Sequence, residues 1–494
     1  MVMALLLSCA ILFGLGAPVP EAGALAAPPA PVEASYYRLV DLNAPEDVVL
    51  EVGGLLVEGD SVVYAATRRG EIWKIDDAYS DAPLFSLWID GLQEPLGLLA
   101  HEGWIYTAQR GELSRLRDAD SDGRADGVET FCDDWRISGN YHEYAFGPRL
   151  DHDGNFWVTL NRPFGDQPFG RAEFRGWAVR ITPSGKMEPV CSGLRSPCGV
   201  EVAPWGDVFY TDNQGEWCPT NKLSHLRPGS FYGHPMGIES CRREESLAAH
   251  PGEIPDGLPI GEAAKKIPLL KLPAVWFPYD KMGKSAAGLV WDTTGGRFGP
   301  FGGQCFVADQ HDASVMRVFL EKVGGEWQGA CFPFREGFGC GITRVAWGAD
   351  GSLIAGMTNR GWGSLGNRPF GIQRLEWTGE VPTEIATMEA LPGGFRLTFT
   401  QPMDLATLRS VKSYSLGSYT YRLHEPYGSP EIDRANVIIT KAHPSADGRS
   451  VDLSCLGQRA GYVHELRAEG LRSEAGLPLL HPDAYYTLNA IPPQ

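Results

Sequence analysis

The stretch DADSDGRADGVE, residues 118–129, carries the clearest chemistry in the chain. It places Asp118, Asp120 and Asp122 at alternate positions, then Gly123, Asp126 and, at the twelfth position, Glu129. Oxygens spaced this way can wrap one hard cation, and the glycine supplies the sharp turn. No soft ligand stands among them, so the pattern predicts Ca²⁺ rather than a transition metal. The competing reading is a solvated acidic turn. Either way the role read from the sequence is structural, pinning a loop beside the channel. A second group suits proton transfer. His142, Arg195 and Gln93 all stand just ahead of apolar strands. If those strands open onto one channel, a histidine with an arginine and a glutamine beside it suits acid–base work on a hydroxyl compound. The blander alternatives are that His142 only hydrogen-bonds a backbone group and that Arg195 only braces the loop before Ser196-Pro197. His152, next to the Asp153-Gly154 turn, is read as a turn residue without a role. Trp217 and Trp362 could stack on a flat ligand or simply pack.

The elements that must position these residues recur. From residue 50 to about 377 a unit repeats: an apolar strand, a Gly-containing turn, a second apolar strand, then a polar segment and another strand. The first copy runs Gly53 to Val57, Val62 to Ala66 and Glu71 to Ile75. The next begin at Leu96, Phe146, Gly199, Ala287 and Ile342. Asp-Gly and Gly-Asp turns between short strands are hairpin signals, and units of roughly 50 residues indicate a propeller or solenoid. Several short strands per unit without helical spacing favour the propeller. Six units are counted; a seventh would arise if residues 35–50 contributed separately. Residues 228–275 read as a long loop excursion on one face. Near Gly379 the texture changes to about seven short strands in some 110 residues, which reads as an Ig-like sandwich. The expected fold is therefore all-β: a six-bladed β-propeller over residues 36–378 followed by a small Ig-like β-sandwich over 379–494. In a propeller, functional groups collect where inner strands meet the central channel.

Several segments resemble the quinoprotein glucose/sorbosone dehydrogenases over roughly residues 50–377. NYHEYAFGPRLDHDGNFWVTLN looks like that family's motif of a histidine ahead of an apolar strand and an Asp-Gly turn. The resemblance makes His142 the base that takes the sugar hydroxyl proton while hydride passes to pyrroloquinoline quinone (PQQ). Asn161 or Arg162 falls where the family has an aspartate beside the histidine. GLRSPCGVEV makes Arg195 the arginine at the hydride end, and GLQEPLGL makes Gln93 the substrate-side glutamine. TDNQGEW occupies the calcium and quinone segment, with Gly215 and Glu216 as backbone ligands. His311 stands where the family has a quinone-binding lysine, and Arg344 and Arg360 are the candidates for its two quinone-binding arginines. FTQPMDLATL resembles bacterial Ig-like modules. The phrases GQCFVADQHDASVMRVFLEKV, GACFPFREGFGCGITRVAWGADGSL and TNRGWGSLG resemble a planctomycete-type group of exported proteins labelled membrane-bound dehydrogenases.

The totals bound the reading. Of 494 residues, 43% are hydrophobic and 21% charged, with 60 glycines and 14 tryptophans, as expected of a turn-rich globular chain. A net charge of −18 without a basic run excludes a nucleic-acid partner. Residues 1–26 read as a secretory signal cleaved near Ala26, and 27–35 as a Pro-rich linker; the mature chain has no span of about 20 apolar residues. The expected location is periplasmic or extracellular. Nine of the ten cysteines remain in the mature chain, with Cys191/Cys198, Cys218/Cys241 and Cys331/Cys340 as local pairing candidates. No C-x-x-C-H occurs, so a covalent haem is excluded. The function expected is a PQQ- and Ca²⁺-dependent dehydrogenase of a sugar or polyol that hands electrons to a partner such as a cytochrome. The alternatives are a carbohydrate-binding or scaffold propeller without the quinone and, third, a hydrolase or lactonase.

Overall fold

The computed structural model describes residues 32–165 and 172–493. The expected signal segment and residues 27–31 of the linker lie outside the described residues. No helix among these residues is long and apolar enough to cross a membrane.

The expected hairpins form. Val62–Thr67, a run of β-branched and small apolar residues after the Gly59-Asp60 turn, is buried along nearly its whole length between Val52–Glu58 and Ile72–Asp76. Each of these hairpins gains a further strand, Leu84–Ile89 in the first case, so the sheet has four antiparallel strands in chain order. The same meander recurs from Leu99–His101, Ala145–Leu150, Pro197–Val202 and Ala286–Trp291. In the last repeat, Ile342–Trp347, Leu353–Thr358 and Phe370–Trp377 take their fourth strand from the N-terminal segment. Tyr37–Asp41 pairs along Phe370–Trp377 with Tyr37 opposite Trp377. Residues 35–50 therefore complete the last repeat rather than form a unit of their own.

Consecutive repeats touch through their first strands, as in a β-propeller. A Cβ on Gly97 would sit 2.3 Å from the carbonyl oxygen of Gly147, so the second and third repeats approach backbone to backbone where no side chain intervenes. Thr211 Oγ1 donates to the Ala287 carbonyl at 2.7 Å, and Thr343 Oγ1 donates to the Val52 carbonyl at 2.7 Å. The latter bond joins the last repeat to the first. Apolar side chains fill the spaces between repeats: Leu55, Val63 and Ile75 of the first pack on Ile354 and Ile372 of the last. Each such side chain contributes roughly 1.5–3 kcal/mol on burial.

The fifth sheet does not stop at its fourth strand. Glu326–Arg335 pairs with Asp483–Leu488, and the sheet continues through Tyr462–Arg467, Ser415–Thr420 and Ile432–Asn436 to eight strands. This covers what would otherwise be a free edge. Its C-terminal half packs on a four-stranded sheet of Ile385–Leu391, Gly394–Phe399, Ser450–Leu456 and Ile438–Pro444, over a core that includes Met388, Phe395, Leu453, Leu466 and Tyr486. The excursion at 228–275 is more ordered than a loop: it carries the helix Ile260–Lys266 and the short strand Leu258–Pro259.

All nine cysteines among the described residues are free thiols, which corrects the local pairings expected from spacing. One thiol of each candidate pair bonds a backbone carbonyl instead. Cys191 Sγ points to the Arg227 carbonyl at 3.3 Å, Cys218 to Thr220 and Cys331 to Trp276. Burial pushes the Cys191 thiol up to about 12, which makes it inert toward exchange.

Candidate functional site

At the centre of the ring lies a cavity of about 360 Å³. Its floor is Leu96, Phe146, Cys198 and Arg344, from the first strands of four repeats or the turns just ahead of them. Arg344 is buried there and bound to backbone. Its guanidinium donates to the carbonyls of Cys198 at 3.0 Å and Leu96 at 3.3 Å, and lies 4.7 Å from the Phe146 ring. It thus ties the second, fourth and sixth repeats across the axis.

His142 reaches the cavity from the turn before Ala145–Leu150. Asn140 builds that turn: its Oδ1 accepts from the His142 N–H at 2.9 Å and its Nδ2 donates to the Phe164 carbonyl at 2.6 Å. Glu143, buried, accepts from the N–H groups of Ser138, Gly139 and Asn140. The His142 ring stands edge-on to Phe164, centroids 4.6 Å apart. Burial, then the charges of Arg162 and Arg195, hold its pKa below the usual imidazole value. Its ring nitrogens meet no hydrogen-bond partner among the described residues.

Arg195 shares Glu216 with Arg162. Arg195 lies 3.0 Å and Arg162 2.5 Å from the Glu216 carboxylate, and both guanidiniums stack on Phe164 at 4.7 and 4.3 Å. Burial would raise the Glu216 pKa, but Arg195 and Arg162 outweigh it and hold it low. A Cβ on Gly215 would fall 1.8 Å from the Arg195 Nε, so only glycine lets the arginine pass to Glu216. The Gly215 carbonyl is engaged, accepting from the N–H of Gly428 at 3.0 Å.

Of the other sequence candidates, Arg360 lines the cavity and pairs with Glu51 at 2.7 Å. Gln93 is exposed and lies outside the lining; its neighbour Glu94 is buried instead, holding Arg68 and Arg110. His311 also lies outside the lining. Its Nδ1 meets Asp312 at 2.7 Å, its N–H donates to Asp309, and Gln310 takes the place facing the cavity. Trp362 lines the cavity and Trp217 does not.

The structure adds residues that sequence reasoning missed. Arg68, Asn213, Lys284 and Tyr427 all line the cavity. Arg68 and Lys284 had a detectable signal, since each sits at the edge of a strand that opens on the centre. Tyr427 had none. Asn161 and Asn213 each keep a buried Oδ1 without a partner, while their amide nitrogens both donate to Ser196. Buried acceptors left this way are costly unless a ligand donor meets them. The cavity is thus lined by five cationic side chains, four paired with Glu94, Glu216, Asp280 and Glu51 and Arg344 with backbone carbonyls, together with one carboxylate, two orphaned amide oxygens and aromatic walls. That donor set fits a flat polycarboxylate such as PQQ together with a hydroxyl compound.

The acidic loop, expected beside the channel, contributes no residue to the lining of this cavity. Asp118, Asp120 and Asp122 bring carboxylate oxygens within 4.8 Å of one another. Asp126 instead caps the Ala119 N–H at 2.8 Å. Glu129 is not with them: it lies on the strand Gly127–Cys132, opposite Arg115, and pairs with it at 2.6 Å. The expected twelfth ligand is lost because the loop runs into a strand, whose register turns Glu129 to the cross-strand arginine.

One family profile, described as a domain of unknown function (DUF7133), matches residues 60–236. No curated protein matches the chain. Among solved structures, a Thermus thermophilus oxidoreductase (glucose dehydrogenase) is 20% identical with TM-score 0.49, covering 69% of this chain and 99% of its own. The PQQ-bound aldose sugar dehydrogenase of Streptomyces coelicolor is 14% identical with TM-score 0.48, covering 71% and 99%. The PQQ domain of pyranose dehydrogenase from Coprinopsis cinerea is 13% identical with TM-score 0.46, covering 71% and 99%.

Proposed function

We propose that this chain is an exported PQQ- and Ca²⁺-dependent dehydrogenase that oxidises a hydroxyl of a sugar or polyol. In this reading the six repeats are the blades of one closed propeller, residues 36–378, and 379–494 form an Ig-like sandwich. One observation carries the reading: His142, with no partner for its ring nitrogens, and Arg195 line one cavity with cationic side chains and two unpartnered amide oxygens. PQQ, when bound, supplies an electrophilic quinone that accepts hydride. Arg68, Arg344, Arg360 and Lys284 would hold its carboxylates. His142 takes the hydroxyl proton at a free ring nitrogen, a role that contributes roughly 10²–10⁴-fold. Arg195 favours negative charge building at the acceptor end. Asn161 and Asn213 accept from substrate hydroxyls and orient the ring, while Phe164 and Tyr144 keep water from the histidine. Asp118, Asp120 and Asp122 would bind a structural Ca²⁺, and a partner such as a cytochrome would take the electrons.

A second reading, a carbohydrate-binding propeller without the quinone, is favoured by Asn161 standing where the resemblance places an aspartate. Titrating the purified protein with PQQ and Ca²⁺, followed by a dye-linked assay over aldoses, sorbosone-like sugars and polyols, separates the two. Quinone uptake and dye reduction are expected. A wild-type protein that takes up no quinone supports the binding propeller.

A further inference from the structure

The C-terminal part reaches into the cavity. Its strand Arg422–Leu423 pairs with Leu258–Pro259 of the long excursion. The chain then folds back over residues 424–429 onto the segment after the second strand of the fourth repeat. The Trp217 N–H donates to the His424 carbonyl at 2.9 Å, the Gly428 N–H to Gly215 at 3.0 Å and the Ser429 N–H to Pro219 at 2.8 Å. Glu216 and Tyr427 form an isolated antiparallel bridge. Two backbone features show how closely the loop is seated. Trp217 adopts φ +59°, a conformation that bulky residues rarely hold. Gly428 has φ +65°, and a Cβ there would meet the Gln214 amide at 2.7 Å.

What this seating delivers is the Tyr427 ring. It lines the cavity and lies 5.3 Å from the Arg195 guanidinium. Yet Tyr427 is 54% exposed, so part of its ring is left uncovered at the mouth. An aromatic surface with a free face beside orphaned amide oxygens suits the apolar side of a sugar ring whose hydroxyls bond the amides.

We propose that Tyr427 is a specificity-determining and positioning residue: it holds Arg195 in place and forms the wall on which the sugar ring of the substrate packs. The C-terminal part thereby completes the site rather than merely capping the propeller. The substrate half of this proposal rests on the dehydrogenase reading above.

The test uses full-length wild type, Tyr427→Ala and Tyr427→Phe, with two readouts. The first is phenylglyoxal labelling of Arg195, measured by peptide mass spectrometry without quinone or sugar. Labelling should rise severalfold in Tyr427→Ala and stay at the wild-type level in Tyr427→Phe. The second is dye-linked oxidation of whichever panel sugar the wild type uses. There kcat/KM should fall roughly five- to fiftyfold in Tyr427→Ala, from loss of ring stacking and of the cation–π contact, and recover in Tyr427→Phe. Equal Arg195 labelling in all three proteins would overturn the positioning role. An unchanged kcat/KM in Tyr427→Ala would overturn the substrate wall, and so would a Phe variant no better than Ala. If the wild type oxidises no sugar, the dehydrogenase reading and the substrate wall fail together, and the labelling alone then decides the positioning role.

Discussion

His481 clamps three distant segments, and its loss should be measurable. Its Nδ1 lies 2.6 Å from Glu384 and its Nε2 2.9 Å from Glu33, with all three side chains largely buried. An imidazole that donates from both nitrogens is protonated. Burial works against that charge, but Glu384 and Glu33 outweigh it and push the pKa to about 10 from an ordinary 6.5. The gap corresponds to roughly 4–5 kcal/mol, near the 3–5 kcal/mol typical of breaking a buried pair. Because the folded-state value is raised, the stabilisation is complete below pH about 6.5 and disappears as pH rises through about 10. Glu33 acts at the other end. Burial raises its pKa, but hydrogen bonds from His481 and Glu336 and the charge of Arg335 hold it low, so its share fades only as pH falls below the carboxylate range. Urea denaturation of wild type and His481→Gln should therefore differ by about 4 kcal/mol at pH 7 and by less than about 1 kcal/mol at pH 10.5. A difference under about 1 kcal/mol at pH 7, or one that is the same at both pH values, would refute the charged clamp.

Further outcomes are expected at the cavity and at the acidic loop. His142→Ala should lower turnover at least about a hundredfold with quinone uptake nearly intact. Because burial and the neighbouring arginines depress the His142 pKa, the wild-type rate should fall on the acid side only below pH about 6.5; an acid limb above that value would assign it to another group. Arg195→Ala should weaken quinone uptake and turnover together, and normal uptake would remove Arg195 from the cofactor site. EDTA should lower the melting temperature, since an ion held only by the folded state stabilises it by mass action. Asp120→Asn should abolish that response and Glu129→Gln should leave it unchanged; calorimetry with and without Ca²⁺ distinguishes them.

Much of this protein was legible in the residues themselves. Turn chemistry and apolar runs are local, so the first hairpins of every repeat and the break near Gly379 could be read directly. His142 and Arg195 were found because each stands ahead of an apolar strand, whereas Arg344 and Arg360 entered only through the resemblance to the quinoprotein dehydrogenases. The outer strands were less visible. Gly127–Cys132 is mostly exposed and carries no apolar alternation, so nothing in its pattern marks it as a strand. What remained was set by pairings between residues far apart in the chain. Tyr37–Asp41 joins Phe370–Trp377, and Asp483–Leu488 joins Glu326–Arg335; no local signal encodes such partners. Strand register, one residue at a time, turned Glu129 to Arg115 and away from the aspartates. Long-range docking brought Tyr427 to Arg195, and local contacts turned Gln310 rather than His311 toward the cavity and left Gln93 outside it. Residue type and spacing determined which groups could do chemistry, whereas only the packing of the repeats, with the C-terminal loop seated on them, decided which of them meet.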